Sequence, residues 1–370
     1  MKNQGIRNMQ MQKQNPERGF TLLELMVSMA VGLIVMAAMA SLFKTGMDST
    51  MLVTQRAETQ QNMRAAIDLM VKDISMAGAG LPSGGIQLPT GIGNNGASKF
   101  GCDQGGICHV PTSTYPTGNY MYGILPGYKN GVEGNAVIPA APAPLFSDSV
   151  TSIYADYNFP LFEYDVITFV GATGGQINLA VNPAGPYAAN PPPAVNAAGG
   201  IVLGDLIMLS NSAGNAVGEV TGVTATSITF ANLDALNINQ SGAAFNNIKA
   251  IAGGASTTAY RLFAVTYYLT VPAAGQTPRL MRQVNGLSPV PVADDIINLQ
   301  FAFDTYNSAT SALDPNQADP LGNVESPNNI QKVNISVMGQ SIITNGNKAQ
   351  NLYLATSVSA RNMAFRNRYK

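Results

Sequence analysis

Apolar and polar positions divide the chain into an N-terminal stretch with helical character and a longer remainder with strand character. Residues Leu25 to Phe43 are 19 consecutive positions without a charge, which meets the length needed to span a hydrocarbon core as a helix. A soluble core helix of that length normally shows a polar face, and this one has none. Further on, Met63, Ala66, Ile67, Met70, Val71 and Ile74 fall on one stripe at i, i+3, i+4, i+7 spacing. Arg64 with Asp68 and Asp68 with Lys72 form i,i+4 pairs on the other side. Gly78, Gly80 and Pro82 supply a stop. The pattern predicts one helix from Phe20 to about Ala77, roughly 87 Å at 1.5 Å per residue. Gly32 and Gly46 inside it read as packing contacts more readily than as hinges.

From Leu81 to about Ser147 the chain is rich in Gly, Pro, Asn and Ala, and reads as a long loop region with short strands. Strand patterns then recur at Tyr164–Val170, Ile201–Ser210, Ala216–Val223, Ser227–Phe230, Tyr260–Thr270, Arg279–Gln283, Ile296–Phe303, Lys332–Met338 and Leu352–Ser359. Their Val, Ile, Tyr, Phe and Thr content favours sheet, and the Gly, Asn and Pro clusters between them favour antiparallel connections. The stretches Pro183–Gly200 and Ser308–Asn329 read as long surface loops. The fold class is therefore α+β.

Charge changes the picture by what it excludes. Lys plus Arg number 20 and Asp plus Glu 21 in 370 residues, so there is no net positive field to hold a nucleic-acid backbone. Charged residues are 11% of the chain, against roughly 25% in ordinary soluble domains. Asn, Gln, Ser and Thr must then supply most of the polar surface, which suits an exported protein held in an assembly. Cys102 and Cys108 lie close together in a Gly-rich stretch, CDQGGIC. In an oxidising compartment they read as a disulfide, with two free thiols as the alternative. Zinc is a weaker reading, because only His109 lies nearby as a further strong ligand.

An enzyme needs a convergent acid, base or nucleophile, and no such set stands out. The single histidine, His109, is next to Cys108, but neighbours in a strand point to opposite faces, and in a loop their geometry is unconstrained. P-loop, G-x-S-x-G and H-E-x-x-H motifs are missing from the sequence. One weak calcium candidate combines Asp314, Asn316, Asp319 and Glu325 in DPNQADPLGNVE, oxygen ligands of the right type without EF-hand spacing. Asp294 and Asp295 read as a turn before a strand. Neither a catalytic group nor a cofactor is expected.

The N-terminus carries the most specific signal. Lys2, Arg7, Lys13 and Arg18, opposed only by Glu17, precede the apolar run and keep that end cytoplasmic under the positive-inside rule. Within Arg18-Gly19-Phe20-Thr21-Leu22-Leu23-Glu24-Leu25, a lone carboxylate sits just inside the run. A charge there is costly in a bilayer, and such a position is a functional hypothesis in its own right. GFTLLELMVSMAVG resembles the prepilin signal of type IV pilins and type II secretion pseudopilins. The resemblance implies cleavage between Gly19 and Phe20 by prepilin peptidase, N-methylation of Phe20, and an assembly role for Glu24. A new ammonium on Phe20 would pair with Glu24 of a neighbouring subunit in a low-dielectric bundle, offsetting the desolvation of both charges.

More loosely, GDLIMLS, VTYYL, RLMRQ, VADDIINLQFAF, VNISV and SARN resemble the C-terminal half of PilW-like minor pilins. That resemblance implies a pilin-like fold, a long N-terminal helix packed on an antiparallel head with large loops. It also implies a leader at 1–19, a transmembrane and assembly helix at 20–44, an amphipathic continuation at 45–80 and a periplasmic or extracellular head at 81–370. The implied role is a low-abundance subunit that primes pilus assembly at the tip. Other minor pilins, the major pilin, prepilin peptidase, the inner-membrane assembly platform and a tip adhesin are the implied partners. Attachment and twitching motility lie downstream. Two alternatives stay open: a type II secretion pseudopilin, and a conventionally secreted adhesin or binding protein cleaved after Ala38-Met39-Ala40.

Overall fold

The computed structural model describes residues 19–88, 120–129, 146–171, 174–232, 234–239, 248–272, 276–307, 310–320, 326–341 and 350–364. Its first element, α1, runs Leu22–Ser75, within two residues of the expected helix at either end. It passes Gly32 and Gly46 without a break. Strands follow: β1 (Ile86–Gln87), β2 (Tyr120–Met121), β3 (Ile124–Gly127), β4 (Ser149–Asp156), β5 (Val166–Phe169), β6 (Gln176–Ala180), β7 (Leu206–Asn211), β8 (Gly214–Glu219), β9 (Gly222–Val223) and β10 (Ser227–Thr229). After the short α2 (Ile248–Ile251) come β11 (Thr258–Thr270), β12 (Arg279–Val284), β13 (Val290–Ala293), β14 (Ile296–Asn307), β15 (Ala312–Gln317), β16 (Ile330–Ser341), β17 (Gln350–Ser359) and α3 (Arg361–Ala364). The chain divides into two compact units, Met1–Thr54 and Gln55–Lys370.

Every strand pairing is antiparallel among the described residues, as the turn-rich connections implied. In the second unit β11 is the spine of a seven-stranded sheet, order β13-β12-β11-β4-β3, with β7 and β8 added beside its first half. A four-stranded sheet, β15-β14-β16-β17, carries the C-terminal part, and another, β5-β6-β10-β9, lies earlier in the chain. The stripe foreseen on the helix is buried: Met63, Ala66, Met70 and Ile74 share a core with Tyr267, Leu280, Phe301, Phe303 and Val337. That half of α1 therefore packs on the central and the C-terminal sheet together. Burying an aliphatic side chain of this kind stabilises by about 1.5–3 kcal/mol. At Gly339 the strand β16 comes close to the helix, since a Cβ there would lie 2.6 Å from Met63 Sδ and 3.0 Å from Thr59 Cγ2.

Four strands, β4, β6, β13 and β15, and the short helices α2 and α3 depart from the sequence expectation, and β4 and β15 show why. β4, Ser-Val-Thr-Ser-Ile-Tyr-Ala-Asp, is buried along its whole length, although its Ser and Thr content hid it. Val150 and Tyr154 face the helix-side core, Ile153 and Ala155 the core on the other face of the sheet. Of its polar positions, Thr151 is satisfied by a 2.7 Å hydrogen bond between the Thr151 and Thr266 hydroxyls, while the buried Ser152 hydroxyl has no such partner among the described residues. The expected loop 308–329 contains β15, which pairs with β14 from Phe303↔Gln317 to Asn307↔Ala312 around a bulge. Pro315 and the positive φ of Asn316 (54°) mask this strand in the sequence. The stretch 183–200 forms turns, as expected, pinned by the buried Val195.

Candidate functional site

Gly19 and Phe20 precede the first turn of α1, and Phe20 is 88% exposed. Among the described residues, nothing lies within 4 Å of where a Gly19 Cβ would stand. Thr21 and Glu24 form a reciprocal cap. The Glu24 amide donates to Thr21 Oγ1 at 3.3 Å, while the Thr21 amide and hydroxyl both donate to Glu24 Oε2 at 3.1 Å. This is the S/T-x-x-E capping box, which satisfies orphan amide donors at a helix start. The spacing Thr21-Leu22-Leu23-Glu24 is visible in the sequence. Glu24 thus has a local structural task besides any intermolecular one.

Downstream, the large side chains from Leu22 to Phe43 are all exposed, among them Leu23 (72%), Ile34 (69%) and Phe43 (71%). The hydroxyls of Ser28, Thr45, Thr50 and Thr54 bond back to carbonyls four residues earlier, so these four donors are satisfied within the helix. The segment is long and apolar enough to cross a membrane and none of it is buried in its own chain. An exposed apolar surface of this extent needs a membrane or other subunits to cover it.

In the second unit the most organised charge lies beneath the helix. Asp73 is 2% exposed; its carboxylate accepts from Tyr154 Oη (3.0 Å), Tyr267 Oη (2.5 Å) and Arg282 Nε (2.8 Å). Burial, and then the Asp73 charge, push both tyrosine hydroxyls well above their ordinary range. Burial alone would lower Arg282, but its bonds to Asp73 outweigh that and raise it. Asp73 falls among the apolar stripe positions, three residues after Met70, and a carboxylate in that place was the one hint the sequence offered. Arg261 makes a second buried pair with Asp156, capped by the Gly200 carbonyl at 2.9 Å and flanked by the Phe263 ring.

Glu219 and Asp234 are both buried and hydrogen-bonded to one another. Glu219 also accepts from the Leu236 amide at 2.9 Å, and Asp234 from the Ile238 and Asn239 amides at 2.7 and 3.0 Å. Burial and the Asp234 charge push the Glu219 carboxyl up to about 7 from 4.5. A carboxyl raised on folding stabilises the fold in its protonated form. Stability is then full below about pH 4.5 and declines as pH rises towards 7. Glu219→Gln is expected to flatten that slope in thermal melts between pH 5 and 8, gaining on the order of 1 kcal/mol over wild type at pH 8.

Cys102, Cys108, His109 and Glu325 lie outside the described residues. Asp314 and Asn316 sit on β15, where Asp314 accepts from Asn307 Nδ2 (3.1 Å) and Asn316 Oδ1 from Asn334 Nδ2 (2.7 Å). Asp319 follows that strand. Among the described residues no three His, Cys, Asp or Glu side chains come together as a metal site.

A family model described as the prokaryotic N-terminal methylation motif matches residues 14–40. It spans the end of the leader with Arg18, the Gly19–Phe20 bond, Glu24 and most of the apolar run. No curated protein and no solved structure matches the chain. The motif is the type IV pilin and pseudopilin signal, and with the exposed apolar helix it gives the chain a membrane anchor near its N-terminus.

Proposed function

We propose that this chain is a minor pilin of PilW-like type, which helps to prime assembly of a type IV pilus and resides at its tip. The observation that carries the reading is the methylation motif at 14–40, laid over an unburied apolar helix whose first turn holds a single carboxylate. The chain inserts through that helix with its basic leader in the cytoplasm and the second unit outside the inner membrane. Prepilin peptidase then cuts between Gly19 and Phe20 and Phe20 is N-methylated. On extraction into a helix bundle, the new ammonium of one subunit pairs with Glu24 of the next, setting register while offsetting two desolvation costs. The contacts are with other minor pilins, the major pilin, the assembly platform and a tip adhesin. The motif supports a structural subunit over an enzyme.

A type II secretion pseudopilin shares every step up to the bundle. It is separated from the pilus reading only by the partners recovered with the mature chain. The experiment is mass spectrometry of the mature N-terminus from a host carrying a prepilin peptidase. A chain starting at N-methylated Phe20 is expected; one starting at Ser41 would establish ordinary secretion and sink the assembly mechanism.

A further inference from the structure

The edges of the sheets are not treated alike. β3 carries Pro126, β13 Pro291, β15 Asp314 and Pro315, and β8 ends on Glu219, while β5 has four residues and β9 two. Proline, charge and shortness are the devices that keep strand edges from pairing with other chains. β17 has none of them. It is ten residues long, Gln-Asn-Leu-Tyr-Leu-Ala-Thr-Ser-Val-Ser, without a charge or a proline, and among the described residues it pairs only with β16. Its outer row, including Tyr353 (63% exposed), is open to solvent, and on its inner row Leu352 and Leu354 are only partly covered by the core.

We propose that β17 is a self-complementary docking edge, through which a second copy of this chain pairs antiparallel and joins two four-stranded sheets into one of eight. The occupant is argued from the strand's own sequence. Turned about a two-fold axis through Ala355, Leu352 meets Val358 and Leu354 meets Thr356 on the inner face. On the outer face Tyr353 meets Ser357 and Asn351 meets Ser359. Apolar residues face apolar or β-branched ones, polar residues face polar ones, and no like charges oppose, which is the pattern that stabilises cross-strand pairs. The same surface on both partners is what an isologous dimer requires. This inference stands on the second unit alone and does not depend on the pilus reading.

The test uses the full chain in dodecyl maltoside micelles, with mass by light scattering and amide hydrogen exchange over Gln350–Ser359. Wild type is expected to have the mass of two chains, with slowed exchange along β17. Ala355→Lys and Ala355→Glu should each run as one chain with fast β17 exchange and an unchanged melting temperature, because a like charge then sits opposite itself at the axis. Mixing the two variants should restore both the dimer mass and the slowed exchange. A wild-type chain that stays monomeric, as expected if the edge serves a different protein, would overturn the proposal. So would a dimer that survives Ala355→Lys, or β17 amides still protected in monomeric variants, which would mean the chain covers this edge itself.

Discussion

Asp73→Ala is expected to remove about 3 kcal/mol from the stability of the second unit, read as a lower denaturation midpoint of the full chain in micelles. The substitution leaves a guanidinium and two tyrosine hydroxyls facing a void. Breaking one side of a buried ion pair costs about 3–5 kcal/mol, most of it from the stranded partner rather than from the attraction lost. The lower figure applies because the Arg282 side chain is 27% exposed and water screens part of its charge. Asp68→Ala, on the exposed side of the same helix, should change stability by less than about 0.5 kcal/mol. Adding Arg282→Met to Asp73→Ala should recover part of the loss, since the unpaired cation is then gone. A double variant no better than Asp73→Ala would show that the tyrosine bonds, not the charge, hold the helix down.

Gly123→Ala should cost about 2–3 kcal/mol, at the high end for adding one methyl group to a packed interior. The reason is what the methyl group would meet. A Cβ at Gly123 would lie 2.6 Å from the Gly78 amide nitrogen and 2.7 Å from its Cα, and backbone cannot rotate aside as a side-chain tip can. Gly78 is itself held: its φ is +79° and its amide donates to the Ile153 carbonyl at 2.8 Å. The Ile153 amide in turn donates to Gly123 at 2.8 Å. The turn that ends α1 is thus clamped against β4 by two glycines in contact, and no third residue type fits between them. Gly84→Ala, where nothing lies within 4 Å and φ is not positive, is the matched control and should fall within about 0.5 kcal/mol of wild type. Equal effects at the two positions would refute the clamp.

The long helix was legible because its determinants are local: an unbroken uncharged run, a 3.6-residue stripe and a glycine stop all act within a few turns. Most β-rich segments were legible for the same reason, as with β11 and β14, whose aromatic and β-branched content survives in any context. β4 was not, because serine and threonine become strand residues only when neighbouring strands supply both faces and a hydroxyl partner such as Thr266. β15 was hidden behind Pro315, which an edge strand tolerates and a central strand does not. Of the candidate functional residues, Gly19, Phe20 and Glu24 needed only the motif. The capping role of Glu24 is equally local.

What the sequence by itself determined is the apolar anchor, the processing motif that precedes it, the helical stripe and the α+β class. Each rests on residues near one another along the chain. Only the tertiary structure decided how those parts are held. The carboxylate of Asp73 meets a guanidinium 209 positions away, and the Gly78 turn meets Gly123. β17 becomes an unguarded edge only because β16 takes one of its two sides. Those outcomes depend on which surfaces folding brings together. Burial then turns an ordinary aspartate, two glycines and a neutral strand into a latch, a clamp and an open edge.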